Sequence, residues 1–384
     1  MSSSNFHRPV SRRTALVAGT AAIAGTVGFV GAATPAGAAS PTAHRPHRPL
    51  SLLQQAGQRV IFSYPGLVPP DSLLQQIRAG EVGGVIFFGE NITSVAQISA
   101  VVGQLRQARA DSGLRSPLLL MTDQEGGIVR RLKGQAPLLS EKQIGASADP
   151  LAEATAAGTG AGQILARAGM NLNLSPVLDV YREEGNFDDE FGRSYSKDPA
   201  VVAQLGAAFV TAQQRTGVAA TAKHFPGLGA ATVQENTDLV SVTLPVPLRE
   251  LRAVDELPFT SAIRAGVDLV MTSWAVYPAL DPRLPAGLSP AVIQGELRGR
   301  LRFRGVTITD ALEAGSLTAY GTPAEVGVRA AQAGMDVLLC SARDVSQGTS
   351  TVAALAAAVR RRRIGTGQFE VALQRVLKLQ HSLA

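Results

Sequence analysis

The chain has a single cysteine and only five lysines and five histidines in 384 residues. One cysteine excludes an intramolecular disulfide, so stability outside a reducing compartment has to come from packing. Cys340 lies in the apolar run Val337-Leu338-Leu339-Cys340 and reads as a core residue rather than a nucleophile. The histidines are His7, His44, His47, His224 and His381, which offer no ligand pair beyond the segment around 44–47. No metal site is expected from that spacing. No phosphate-loop glycine pattern occurs either, and no cofactor is expected. Internal repeats and shifts of composition that would mark a second domain are also missing.

What is present is a chain with 45% apolar and 17% charged residues, long enough to bury a large core. Its length allows two or three ordinary domains, or one barrel of the α/β type. The formal charge is +6 and the cations are almost all arginine. One run, Arg360 to Arg363, ends a helical pattern, where cations suit the helix dipole. It reads as a solvated helix end rather than a grip on an anionic wall polymer or nucleic acid.

Residues 1–38 read as an address. Ser11-Arg12-Arg13-Thr14-Ala15-Leu16 precedes a weakly apolar stretch rich in Ala, Gly and Val, then Ala36-Gly37-Ala38. Paired arginines, a modest apolar region and an A-x-A site describe a twin-arginine export signal. A membrane anchor is the competing reading, but 15–33 is too rich in glycine and alanine to suit one. No cysteine follows the cleavage site, which excludes lipid attachment there. Removing 1–38, with Arg8, Arg12 and Arg13 and no acid, would take the charge from +6 to +3. Residues 39–49 read as a disordered linker. The mature protein is therefore expected to be secreted or wall-associated, without a membrane contact, binding no nucleic acid, and a monomer.

From residue 50 onward short β-branched or apolar runs alternate with amphipathic segments rich in Ala, Leu and Arg. The runs are 60–64, 84–88, 118–122, 172–178, 219–224, 269–274, 306–309 and 337–340. Several are apolar throughout, as strands buried on both faces should be. Helices are predicted at 94–110, 150–168, 198–215, 258–265, 290–301, 322–333 and 348–363, with a closing helix at 368–383. Eight β/α units predict an α/β fold, one (β/α)8 TIM-type barrel over 50–384 with a C-terminal closing helix.

Active sites of such barrels form at the C-terminal strand ends. Polar residues gather there: Asp123-Gln124-Glu125 after the third run, Asp179 after the fourth, Lys223-His224 at the fifth, Asp310 after the seventh. A lone aspartate at a strand end is usually a cap or turn residue. Several at successive ends point to a hydrolase or lyase, with no reaction type assigned.

Five motifs narrow this. They are Met121-Thr-Asp-Gln-Glu-Gly-Gly-Ile-Val-Arg-Arg131, Asn173-Leu-Ser-Pro-Val-Leu-Asp179, Phe191-Gly-Arg-Ser-Tyr-Ser-Lys-Asp-Pro199, Lys223-His-Phe-Pro-Gly-Leu-Gly229 and Gly305-Val-Thr-Ile-Thr-Asp-Ala-Leu312. In this order they resemble family 3 glycoside hydrolases, specifically the single-domain bacterial β-N-acetylglucosaminidases (β-hexosaminidases), across about 50–384. The resemblance implies that Asp310 is the nucleophile of a retaining exo-glycosidase. It would act on terminal β-linked N-acetylhexosamine of cell-wall or chitin-derived oligosaccharides. It places Asp123, Arg131, Arg193, Lys223 and His224 against the sugar, with Arg130 turned away. Arg193 could instead pair with Asp189 or Glu190. Met271 is a second-tier sugar contact that could simply pack, and Asp179 could only order Arg193 or Lys223.

The sequence also departs from the family. Where the family has an Asp-Ser-His triplet whose histidine is the general acid/base, the loop reads Gly229-Ala-Ala-Thr-Val-Gln-Glu-Asn-Thr-Asp238. A straight count puts Asn236 at the histidine position; two extra residues put Asp238 there. Asn236 does not titrate, so Asp238, favoured, or Glu235 is left for the role, on condition that its pKa is raised. Two other outcomes stay open: a β-glucosidase-type specificity, and a non-catalytic sugar- or wall-binding protein.

Overall fold

The computed structural model describes residues 49–383. The expected signal at 1–38 and most of the expected linker at 39–49 lie outside them. Among the described residues there are ten strands: β1 (Val60–Phe62), β2 (Gly84–Ile86), β3 (Leu119–Thr122), β4 (Gln124–Gly126), β5 (Val129–Arg130), β6 (Leu172–Asn173), β7 (Ala219–Phe225), β8 (Leu269–Thr272), β9 (Val306–Ala311) and β10 (Val337–Leu339). Eight of them close a parallel barrel in the order β1-β10-β9-β8-β7-β6-β3-β2. Those eight fall within the eight apolar runs, except that β7 and β9 each extend past the expected end. The remaining two, β4 and β5, form an antiparallel hairpin on top of β3.

Several of the surrounding helices begin where the sequence offers a cap. Asp149, Asp198 and Thr322 each accept a hydrogen bond from the first turn and each precedes a proline at the first helical position. That pairing fills an orphan donor and presets the backbone angle. The helices Pro150–Ala168, Pro199–Gln214 and Pro323–Ala333 follow. Among the helices additional to the expected set are Leu52–Gly57 and Asp71–Arg78. With six and eight residues they are too short for a 3.6-residue period to stand out.

The barrel interior is filled by alternate side chains of the strands, among them Ile61, Met121, Leu172, Leu269, Ile308 and Val337. Val376 and Leu379 join the same cluster from the final helix, Thr366–Ser382, which thereby plugs one end. Cys340 is fully buried in the layer between barrel and helices, and burial pushes its thiol up to about 12. It is a core residue, as expected. Among the described residues no helix is long and apolar enough to cross a membrane.

Candidate active site

At the carboxyl ends of the strands lies a cavity of about 600 Å³. Asp123, Arg131, Arg193, Lys223, His224, Met271, Asp238 and Asp310 all line it. Glu235 does not; its carboxylate accepts the backbone N–H of Thr232 at 2.8 Å and so closes its own turn. Of the two acids considered for proton transfer, only Asp238 therefore faces the site.

Asp310 lies at the end of β9, half-buried, with Oδ1 accepting the N–H of Ala311 at 2.7 Å. Next to it the buried indole of Trp274 donates to the Ala311 carbonyl at 2.9 Å, fixing the main chain beside the carboxylate. Met271 belongs to the barrel interior and forms part of the cavity floor.

One wall is a buried charge network. Lys223 Nζ lies 2.8 Å from Asp123 and 2.7 Å from Glu125. Glu125 also takes a bidentate pair from Arg193, at 2.9 and 3.0 Å. Arg131 stands 3.7 Å from the other oxygen of Asp123, whereas Arg130 turns away to the carbonyl of Pro137. Burial alone would raise the Glu125 carboxyl, but the Arg193 and Lys223 charges override it and bring it down to about 2. These cations and carboxylates are held by one another, so the array is set before a ligand arrives. Glu125 is positioned by the β4–β5 hairpin, whose turn needs Gly127 at φ +53; a Cβ there would lie 2.6 Å from that of Ser140.

Lys223 and His224 are adjacent, joined by a cis peptide, and both line the cavity. Behind His224 is Asp179, fully buried, with Oδ2 2.7 Å from Nδ1. Its other oxygen accepts the N–H of Leu228 at 2.6 Å and of His224 at 3.3 Å. Burial would lower the imidazole pKa, but the carboxylate of Asp179 raises it. Asp179 thus orders His224, not Arg193 or Lys223. Arg193 likewise pairs with Glu125 and lies 3.6 Å from Asp188; Asp189 is taken by Lys142 at 2.6 Å. The alternative of an Arg193 pair with Asp189 or Glu190 is not what forms.

Sequence reasoning gave Glu125 no role although it sits two residues from Asp123 in the same motif. It also passed over Asp188, whose two carboxylate oxygens are buried without a hydrogen-bond partner. Burial, with the charge of Asp179, pushes that carboxyl up to about 7. Glu90, Glu313 and Arg343 complete the rim, Arg343 stacking 4.4 Å over the Phe88 ring. Asp179, Asp188 and His224 bring ligand-type atoms within 4.8 Å of one another, the one such trio among the described residues. Asp179 and His224 are hydrogen-bonded to each other, whereas Asp188 lies beside the pair without a hydrogen bond to either.

Asp238 stands at the open edge. Its side chain meets solvent, yet desolvation by the surrounding cavity and then the charge of Asp310 raise its pKa, against the opposing pull of His224 and Arg193.

Residues 63–379 match the glycosyl hydrolase family 3 N-terminal domain. The chain belongs to glycosyl hydrolase family 3. It is 47% identical over 337 residues to a protein of Arthroderma benhamiae described as an uncharacterized secreted glycosyl hydrolase, covering 87% of this chain and 95% of the relative. The family 3 β-N-acetylglucosaminidase of a Paenibacillus species superposes with a TM-score of 0.82 at 36% identity. That match covers 87% of this chain but 63% of the Paenibacillus enzyme, so the chain spans less than two thirds of that protein. The β-N-acetylhexosaminidase of Beutenbergia cavernae gives 0.79 at 34% identity, with 87% and 99% of the two chains covered. Family 3 membership accounts for the order of the five motifs and for the barrel that carries them.

Proposed function

We propose that this family 3 glycosidase is a retaining β-N-acetylhexosaminidase in which Asp310 is the nucleophile and Asp238 the general acid/base. The observation carrying this reading is that Asp238 and Asp310 face one cavity, while Glu235 is turned out of it. In the first step the Asp310 carboxylate forms a bond to the anomeric carbon as the glycosidic C–O bond breaks. The departing oxygen takes the proton of Asp238. In the second step Asp238, now a carboxylate, removes a proton from water, whose oxygen displaces Asp310 from the sugar. A raised pKa suits Asp238 to donate first and accept second.

The network of Asp123, Glu125, Arg131, Arg193 and Lys223, with His224 beside it, supplies paired donors and acceptors for sugar hydroxyls. A sugar lacking one such group leaves a buried partner unpaired and is rejected. The Paenibacillus and Beutenbergia relatives support N-acetylhexosamine as the sugar; terminal residues of wall- or chitin-derived oligosaccharides are the source proposed for it. Paired Arg12-Arg13 in the sequence, together with the secreted relative, supports export by the twin-arginine route.

The test is trapping with 2-fluoro glycosyl donors followed by peptide mass mapping, alongside a panel of aryl glycosides. Label on the peptide holding Asp310 and preference for the N-acetylhexosaminide are expected. Label on another carboxylate, or preference for the glucoside, would overturn nucleophile or specificity respectively.

A further inference from the structure

We propose that Asn236 and Gly315 are positioning residues that lock the turn bearing Asp238 onto the turn following Asp310, so that main chain sets acid/base against nucleophile before substrate arrives. The inference rests on Asp238 being the acid/base as proposed above.

Asn236 builds the turn. Its side-chain Oδ1 accepts the N–H of Asp238 at 2.8 Å, and its carbonyl accepts those of Leu239 and Val240 at 3.0 and 2.9 Å. An amide can do this because a short side chain ending in an acceptor mimics one more backbone unit. Asn236, which a straight count puts at the family's histidine position, thus shapes the chain two positions ahead of the proposed acid.

Gly315 ties that turn down. Its N–H donates to the carbonyl of Asp238 itself at 2.8 Å, and Ser316 N–H donates to Thr237 at 3.2 Å. Ser241 Oγ closes the far side on the Ser316 carbonyl at 3.2 Å. The approach requires glycine: a Cβ on Gly315 would lie 2.8 Å from the Leu239 carbonyl carbon and 3.0 Å from the Asp238 carbonyl oxygen. Both obstacles are backbone, so neither can swing aside. Thr237 is buried between the two turns, whereas Asp238, Leu239 and Val240 are exposed. An exposed acidic side chain is therefore carried on a main chain that is anchored on both sides. Gly315 follows Asp310 by five residues on the same strand-to-helix connection, so the anchor reaches the nucleophile through a short stretch of chain.

The measurement is kcat and KM for an N-acetylhexosaminyl disaccharide and for an activated aryl N-acetylhexosaminide, across pH, in Gly315→Ala, Asn236→Ala, Asn236→Asp and Asp238→Asn. Displacing a positioned proton donor by about 1 Å costs up to roughly a hundredfold in the step that needs it. Gly315→Ala and Asn236→Ala should lose about that much kcat on the disaccharide and at most about twofold on the aryl substrate, which needs little protonation. Their alkaline limb should move, KM should change little, and Asn236→Asp, which keeps the acceptor, should restore the disaccharide rate. If Asp238→Asn shows the leaving-group dependence but the folded Asn236→Ala and Gly315→Ala enzymes keep normal disaccharide rates, the lock is wrong and the acid/base stands. If Asp238→Asn shows no such dependence, the acid/base reading fails and the lock with it. Should Gly315→Ala not fold, as judged by its melting transition, Asn236→Ala alone decides.

Discussion

Asp179 holds His224 twice, taking the imidazole Nδ1 at 2.7 Å and the backbone N–H at 3.3 Å. An ionised carboxylate only accepts, so Nδ1 carries the proton and Nε2 is the atom left to meet the cavity. Asp179→Asn keeps the shape and removes the charge that raises the imidazole pKa. The loss of one charge-assisted hydrogen bond, about 2 kcal/mol, should lower kcat/KM by roughly thirtyfold. Steady-state kinetics with an NMR titration of His224 checks this: the imidazole pKa should fall, and an unchanged pKa would refute the role.

Asp310→Asn should abolish turnover on disaccharide and aryl substrates alike while the melting temperature stays near that of the parent. The amide keeps the volume and loses the proposed nucleophile. Near-normal activity in the purified variant would remove Asp310 from its place in the mechanism.

Asp238 should govern the alkaline side of the rate profile. Its pKa is raised and its protonated form is the proposed donor, so rates on poor leaving groups should fall as pH rises through that value. Asp238→Ala should lose that limb, suffer most on the disaccharide, and recover deglycosylation when azide replaces the water that needs deprotonation. Glu235→Ala should resemble the parent, since its carboxylate only closes a turn. Azide rescue of Glu235→Ala and not of Asp238→Ala would exchange the two.

Asp188 gives a stability signature. Its folded pKa, about 7, is above the ordinary value of 3.8, so its proton favours the folded state at low pH. That contribution is complete below about pH 3.8 and is lost as pH rises through 7. Asp188→Asn should therefore match the parent's melting temperature near pH 4 and exceed it at pH 8, with each kcal/mol worth roughly 2 °C in a chain of this size. A parent and variant with parallel melting curves across that range would show that Asp188 is ionised in the fold, held by Arg193.

Export should depend on the arginine pair. Arg12→Lys with Arg13→Lys ought to leave the precursor inside the cell, because that pair is what the twin-arginine receptor reads. Immunoblotting of cell and medium fractions decides it; normal secretion would indicate another route.

The order of the barrel was written in the sequence. Strands buried on both faces have to be short apolar runs, and the helices between them have to carry one apolar stripe, so both show as local periodicity. The strand ends then named Asp123, Lys223, His224 and Asp310 without any coordinates, because a barrel puts those ends on one face. Tertiary structure decided what local pattern does not encode. Glu125 meets Arg193 across 68 positions of chain, and Asp179 meets His224 across 45. The choice between Glu235 and Asp238 depended on which way an aperiodic loop turns. That direction is set by main-chain hydrogen bonds to Gly315 and Ser316, some 77 residues further on from Asp238 in the case of Gly315. Sequence periodicity reports the face an element must bury. Which partner a buried charge finds, and where a loop is pinned, are set by contacts between segments far apart in the chain.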